Sequence, residues 1–262
     1  MGAGTLPGHV RGVIDRPAAA PCGGRFREGF MDRRRFVKLC AGSTAWFAAG
    51  MRGAHAASYA DFPRVRLTDG QGAPLNASAL AKDEAYVFHF PFRSLPCFLI
   101  DLGKPAAGSL ELSSESGSYI WPGGVGKDKS LVAYVAVCTH QLAYAAKDGS
   151  QIRYAAGASA LAGRPGTIVC CAHASVFDPA KGAQREHGEA RDPLLSVRLE
   201  YDPAEDALYA SGLAGTQLVE RFFKTYKRQL IAEYGAGVYR EAVSGSAAAV
   251  PLSKFATSVG DC

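Results

Sequence analysis

The chain has 262 residues, 48% of them hydrophobic, seven cysteines and a formal net charge of +5. This is enough apolar material for one main globular domain with appendages, and with no basic stripe interleaved with aromatics it argues against nucleic-acid binding. The cysteines at 22, 40, 97, 138, 170, 171 and 262 are too few and too irregularly spaced for a disulfide scaffold in a chain of this length.

Taken in chain order, residues 1–30 are rich in Gly, Pro and Arg without apolar periodicity, and are expected to be disordered or to lie upstream of a start at Met31. From Met31 the arginine pair Arg33 and Arg34 is followed by Phe36, Val37, Lys38 and an apolar stretch over 39–50, the pattern of a twin-arginine (Tat) export signal. That stretch is far shorter than the roughly 18 residues a membrane-crossing helix needs. "AHA" at 54–56 offers the small residues that a signal peptidase reads. Residues 1–57 are therefore expected to be removed, leaving a periplasmic protein with no permanent membrane span; a partner or an uncleaved signal would be its route to a membrane. A basic amphipathic N-terminal helix is the alternative. Export by this route is used by proteins that fold around a cofactor first, which favours a metal.

The next segments are short and β-rich: 64–67, 85–92, 97–102, 130–138 and 167–171, with a hairpin around the turn at 202–206. They predict an antiparallel all-β domain over 58–212. Gly- and Ser-rich stretches at 103–129 and 141–166 are expected to be loops. Beyond it, in an extension over 213–262, Val219, Phe222, Phe223, Tyr226, Leu230 and Tyr234 recur at three- and four-residue intervals up to Gly235. This predicts a C-terminal amphipathic helix laid on its own domain, or docked on a partner.

Two motifs carry the chemistry, Cys138-Thr139-His140 and Cys170-Cys171-Ala172-His173. Two loops that each offer one thiolate and one imidazole suit a [2Fe-2S] cluster with two Cys on one iron and two His on the other. Such a cluster calls for a two-residue gap in the second loop, which assigns Cys170 and leaves Cys171 as a small buried bystander. A structural zinc site with the same four ligands is the alternative metal. His187, Glu189 and Asp192 follow the second motif and are expected in a solvated loop, with modulation of the centre as the other possibility. Asp178-Pro179 with Gly182 predicts a turn.

"CTH" at 138–140 followed by "CCAHASVFDPAKG" at 170–182 resembles the Rieske signature through Cys170, His173, Ser175, Phe177, Asp178 and Gly182. Within that superfamily, "FHFPF", "PCFLIDLG", "GGVGKDKSLVAYVAVCTH", "HASVFDPAKGAQREHGEARDPLLSVRLEYD" and "DALYASG" are similar to the small subunit of arsenite oxidase, over about 85–212. The resemblance implies a Rieske-type antiparallel β-sandwich with a cluster-binding subdomain and one [2Fe-2S] cluster held by Cys138, His140, Cys170 and His173. It implies that the Ser175 hydroxyl donates to a bridging sulfide, although an ordinary turn serine is the other reading. Phe177 stands where the respiratory forms have a tyrosine bonded to a cysteine sulfur. Ala143 and Ala172 stand where the cytochrome bc forms have a loop-bracing disulfide, so both are expected to be missing. With those losses a potential below the top of the about −150 to +300 mV range of such centres follows.

By the same resemblance the chain is an electron-transfer subunit with no substrate-oxidising centre of its own. Its partners would be a large molybdopterin oxidoreductase subunit and a cytochrome electron acceptor. Service to a quinol-oxidising cytochrome b complex is the second expectation, and a zinc-stabilised non-redox binding module the third. The sequence departs from the family in the 29 residues between His140 and Cys170, in the absence of a glycine after the first histidine, and in the extension from Leu213 to Cys262.

Overall fold

The computed structural model describes residues 1–2, 59–82 and 84–262. The export signal and cleavage site expected within 31–57 lie outside the described residues. In chain order the strands are β1 (Ala60–Thr68), β2 (Ala85–His89), β3 (Pro96–Asp101), β4 (Leu110–Ser114), β5 (Gly117–Trp121), β6 (Leu131–Val135), β7 (Ile152–Ala155), β8 (Thr167–Cys170), β9 (Ser175–Asp178), β10 (Gln184–His187), β11 (Val197–Asp202) and β12 (Ala207–Leu213). Helix α1 (Gln217–Tyr234) follows, then β13 (Ser246–Ala248), β14 (Val250–Pro251) and the short helix α2 (Leu252–Phe255).

The architecture is mostly β, as the alternating and short apolar segments predict. One sheet has the order β11-β12-β1-β13, a second β10-β9-β8-β7 and a third β14-β2-β3-β6, with β4-β5 as a separate hairpin. Among these strands every pairing is antiparallel except β1 with β13. Strands β3 and β6 are buried along their whole length, as are β8 and β9. Continuous apolar runs such as Leu131-Val132-Ala133-Tyr134-Val135 are what a strand covered on both faces requires.

Two expectations are corrected. The Ser- and Gly-rich stretch 103–129 contains the β4–β5 hairpin, whose Leu112, Tyr119 and Trp121 are buried. The stretch 141–166 contains β7, paired with β8 from Ile152↔Cys170 to Ala155↔Thr167. In both, small polar residues dilute the apolar alternation that marks a strand.

Helix α1 forms as its periodicity predicts and stops at Gly235, whose N–H reaches Ile231 O at 2.9 Å. It lies on its own domain: Leu218, Val219, Phe222, Phe223 and Leu230 are buried in the same core as β1, β3 and β6. The extension also rejoins the sheets directly, β13 beside β1 and β14 beside β2.

Candidate metal centre

Buried strands deliver both motifs. Cys138 follows β6 by three residues, and the chain then turns back through Leu142, whose N–H bonds Cys138 O at 3.1 Å. Cys138 N–H reaches Ala143 O at 2.8 Å and Ala145 N–H reaches Ala136 O at 3.0 Å, which closes the turn. Tyr144 anchors its far side against the rings of Phe222 and Tyr226 on α1, at centroid distances of 5.0 and 4.8 Å.

The second motif is the tip of the β8–β9 hairpin. Cys170 and Ser175 pair across it, and residues 171–174 make the loop. A third segment, Gly188–Pro193, closes against both. Thr139 Oγ1 donates to Asp192 O at 2.8 Å, and Ala190 N–H donates to Ser175 Oγ at 3.0 Å.

These elements set Cys138 beside Cys170 and His140 beside His173. Cys138 and Cys170 are fully buried. Their thiols lie against each other: Cys170 is lowered to about 7, first because it accepts from Cys138, and then because the N–H groups of Ala172 and His173 face it. Cys138, the donor of that pair, is raised, while the His140 N–H and the Ser175 hydroxyl favour its thiolate. The site is thus lined with donors that hold negative charge on sulfur.

The rings of His140 and His173 meet edge to face, centroids 4.8 Å apart and 88° between planes. The Nδ1 atom of each is buried and has no hydrogen-bond partner. Leaving a buried polar nitrogen unmatched costs roughly 1–3 kcal/mol. Two such atoms on neighbouring rings call for an explanation. Both rings are partly exposed, and that exposure lies away from Nδ1. Among the described residues no three His, Cys, Asp or Glu side chains converge on one point as a single ion would need. The donors form a sulfur pair and a nitrogen pair.

Ser175 is fully buried; its oxygen accepts from Ala190 N–H, and its hydroxyl lies where it favours the Cys138 thiolate. Phe177, in β9 beyond the second loop, is fully buried. Asp178 makes the predicted turn: its Oδ1 caps Ala180 N–H at 3.0 Å, and Gly182 takes φ +68°. His187 and Glu189 are exposed, with His187 Nε2 2.9 Å from Leu161 O, so their side chains belong to the surface. Asp192 acts through its backbone carbonyl.

Cys171 is corrected: it is not a buried bystander but is joined to Cys262 in a disulfide. Two contributors have no signal in the motifs themselves. Gly188, at φ +94°, lies so close to the second loop that a Cβ would stand 2.1 Å from Ala174 O; the signal for it was the glycine and proline flanking "EARD". Ala190 offers only its backbone, which no sequence pattern announces. A cleft of about 640 Å³ lined by Lys82, Lys104, Arg164 and Lys181 contains none of the four donors.

No family model matches the chain. Among solved structures it is similar to the soluble domain of the Rieske protein II (soxF) from Sulfolobus acidocaldarius, at 23% identity and a TM-score of 0.45, over 59% of this chain and 79% of that one.

Proposed function

We propose that this chain is an exported Rieske-type electron-transfer subunit holding a [2Fe-2S] cluster, with Cys138 and Cys170 on one iron and His140 and His173 on the other. The observation that carries the reading is the pairing of the residues: two buried thiols, Cys138 hydrogen-bonded to Cys170, and two histidines whose rings lie 4.8 Å apart, each with its Nδ1 buried and unpartnered. A pair of sulfurs and a pair of nitrogens suit a group with two metal atoms and unequal ligands.

Such a cluster supplies a one-electron couple. The chain's own residues do the rest. The N–H groups of His140, Ala172 and His173 and the Ser175 hydroxyl hold negative charge on the cysteine sulfurs, which favours the reduced state. Phe177 is buried in β9 and contributes no hydroxyl. With Nδ1 engaged, Nε2 of each histidine would be the nitrogen left to carry a proton.

On the sequence resemblance, the electron comes from a large molybdopterin subunit that oxidises arsenite or a similar small oxyanion, and passes to a cytochrome-type acceptor. The Cys171–Cys262 disulfide supports a periplasmic address, since such bonds persist in oxidising compartments.

The test is to purify the chain and measure iron, acid-labile sulfide and the paramagnetic spectrum of the reduced protein, for the wild type, His140→Ala and His173→Ala. Two irons and two sulfides per chain, and loss of the spectrum in both variants, are expected. A colourless wild type with stoichiometric zinc, or variants with unchanged iron and spectrum, overturns the reading.

A further inference from the structure

The two donor loops come from different sheets, β6 and β8–β9, and Ala143 and Ala172 hold no thiols with which to cross-link them directly. The segment 256–262 reaches both. Along the segment that descends from the first loop, Thr257 N–H donates to Lys147 O and Thr257 Oγ1 to Asp148 O, each at 2.8 Å. Ser150 N–H then donates to Ser258 O at 2.9 Å and Gly260 N–H to Ser150 O at 2.8 Å, a parallel bridge centred on Ser150 and Val259. Arg153 reaches Asp261 at 3.0 Å. At its end Cys262 is bonded to Cys171, inside the second loop and between Cys170 and His173.

We propose that residues 256–262 are a strap that fixes the two donor loops relative to each other, and that Cys171 and Cys262 are positioning residues for Cys170 and His173. What the loops hold rests on the function proposed above; that they are strapped rests on the contacts alone. Hydrogen bonds tie the strap to the chain below the first loop, and a covalent bond ties it to the second. Cys171 N–H, bonded to Gln151 O at 2.7 Å, carries the same connection through the backbone. Without the covalent end, the hairpin tip that carries His173 keeps only hydrogen bonds and packing to hold it in place. Ala174, at φ +51°, is already in a conformation that side chains other than glycine rarely adopt.

The experiment compares the full chain, as wild type, with Cys262→Ser, Cys171→Ser/Cys262→Ser and Asp261→Asn. Non-reducing digestion of the wild type yields one cross-linked peptide pair containing Cys171 and Cys262. In both cysteine variants, amide exchange at Cys171 and Gly260 accelerates by about tenfold or more while Val65 and Leu99 in the sheets keep their protection, as local opening requires. Iron is lost to a chelator faster, and the reduced protein's paramagnetic spectrum broadens. Asp261→Asn, which removes only an exposed ion pair, behaves as wild type. Free thiols at Cys171 and Cys262, unchanged exchange in the cysteine variants, or equal acceleration throughout the sheets overturns the strap. A wild type without iron and sulfide overturns the cluster instead, and exchange still reads the strap.

Discussion

Leu142 and Ala174, one in each donor loop, hold φ of +62° and +51°. In that region a Cβ crowds the following carbonyl at about 1–2 kcal/mol. Ala174 is exposed and has little packing to offset this, so Ala174→Gly is expected to raise stability by about 0.5–1 kcal/mol once glycine's greater unfolded-state freedom is subtracted. Urea unfolding checks it. Leu142 is buried, so Leu142→Gly is expected to do the reverse, losing more packing than it gains in backbone relief. The sequence showed that the glycine expected after the first histidine is absent; the structure shows a leucine held in a glycine-like conformation by burial. Gly188 is the converse case. Its Cβ would meet the backbone of the second loop, so Gly188→Ala is expected to cost about 2 kcal/mol or more and to disturb the Ser175–Ala190 hydrogen bond. Cys138, His140, Cys170 and His173 stood out in the sequence because thiol and imidazole at fixed spacing is chemistry written in side chains. Gly188 and Ala190 act through backbone and were not.

Between elements, the tie that matters most for the centre is α1 against the first donor loop. Phe222 is fully buried and touches Tyr144, Phe223 and Tyr226. Phe222→Ala is expected to cost about 3–5 kcal/mol, transfer and cavity together, and to loosen the turn at Tyr144 before the sheets; the near-ultraviolet signal of the aromatic cluster, followed against urea, reports it. A second tie joins the two donor-bearing sheets. Tyr134 on β6 donates its hydroxyl to Pro179 O at 2.7 Å, just beyond β9. In Tyr134→Phe that buried carbonyl loses its partner, at about 1–3 kcal/mol. Helix α1 was legible because six apolar residues keep a helical period over sixteen positions. The β4–β5 hairpin and β7 were not, because Ser, Gly and Arg interrupt the alternation and their burial comes from neighbours distant in sequence. The strap was hidden for the same reason: no local pattern pairs Cys171 with a residue 91 positions away.

At the scale of the whole molecule, the extension is not an appendage in packing terms, since β13, β14, α1 and α2 all meet the sheets. His89 marks one such meeting. It ends β2, its Nε2 is 3.3 Å from the Tyr234 hydroxyl at the end of α1, and its ring packs 5.7 Å from Phe255 in α2. Burial, and then the charge of Lys147, lowers its pKa from 6.5 to about 4. A base whose folded pKa is depressed contributes nothing to pH dependence above the unfolded value. As pH falls below about 6.5 the unfolded chain takes up a proton that the folded chain refuses, and stability is lost until about pH 4, where the folded form binds it too. Between pH 7 and pH 5 this amounts to about 2 kcal/mol. His89→Phe keeps a ring among Tyr234 and Phe255 but removes the titration. Its urea-unfolding free energy is therefore expected to fall by about 2 kcal/mol less than the wild type's over that interval. Equal falls in the two proteins would show that His89 is protonated in the fold, and that the contact between β2, α1 and α2 is more open to water than its burial indicates.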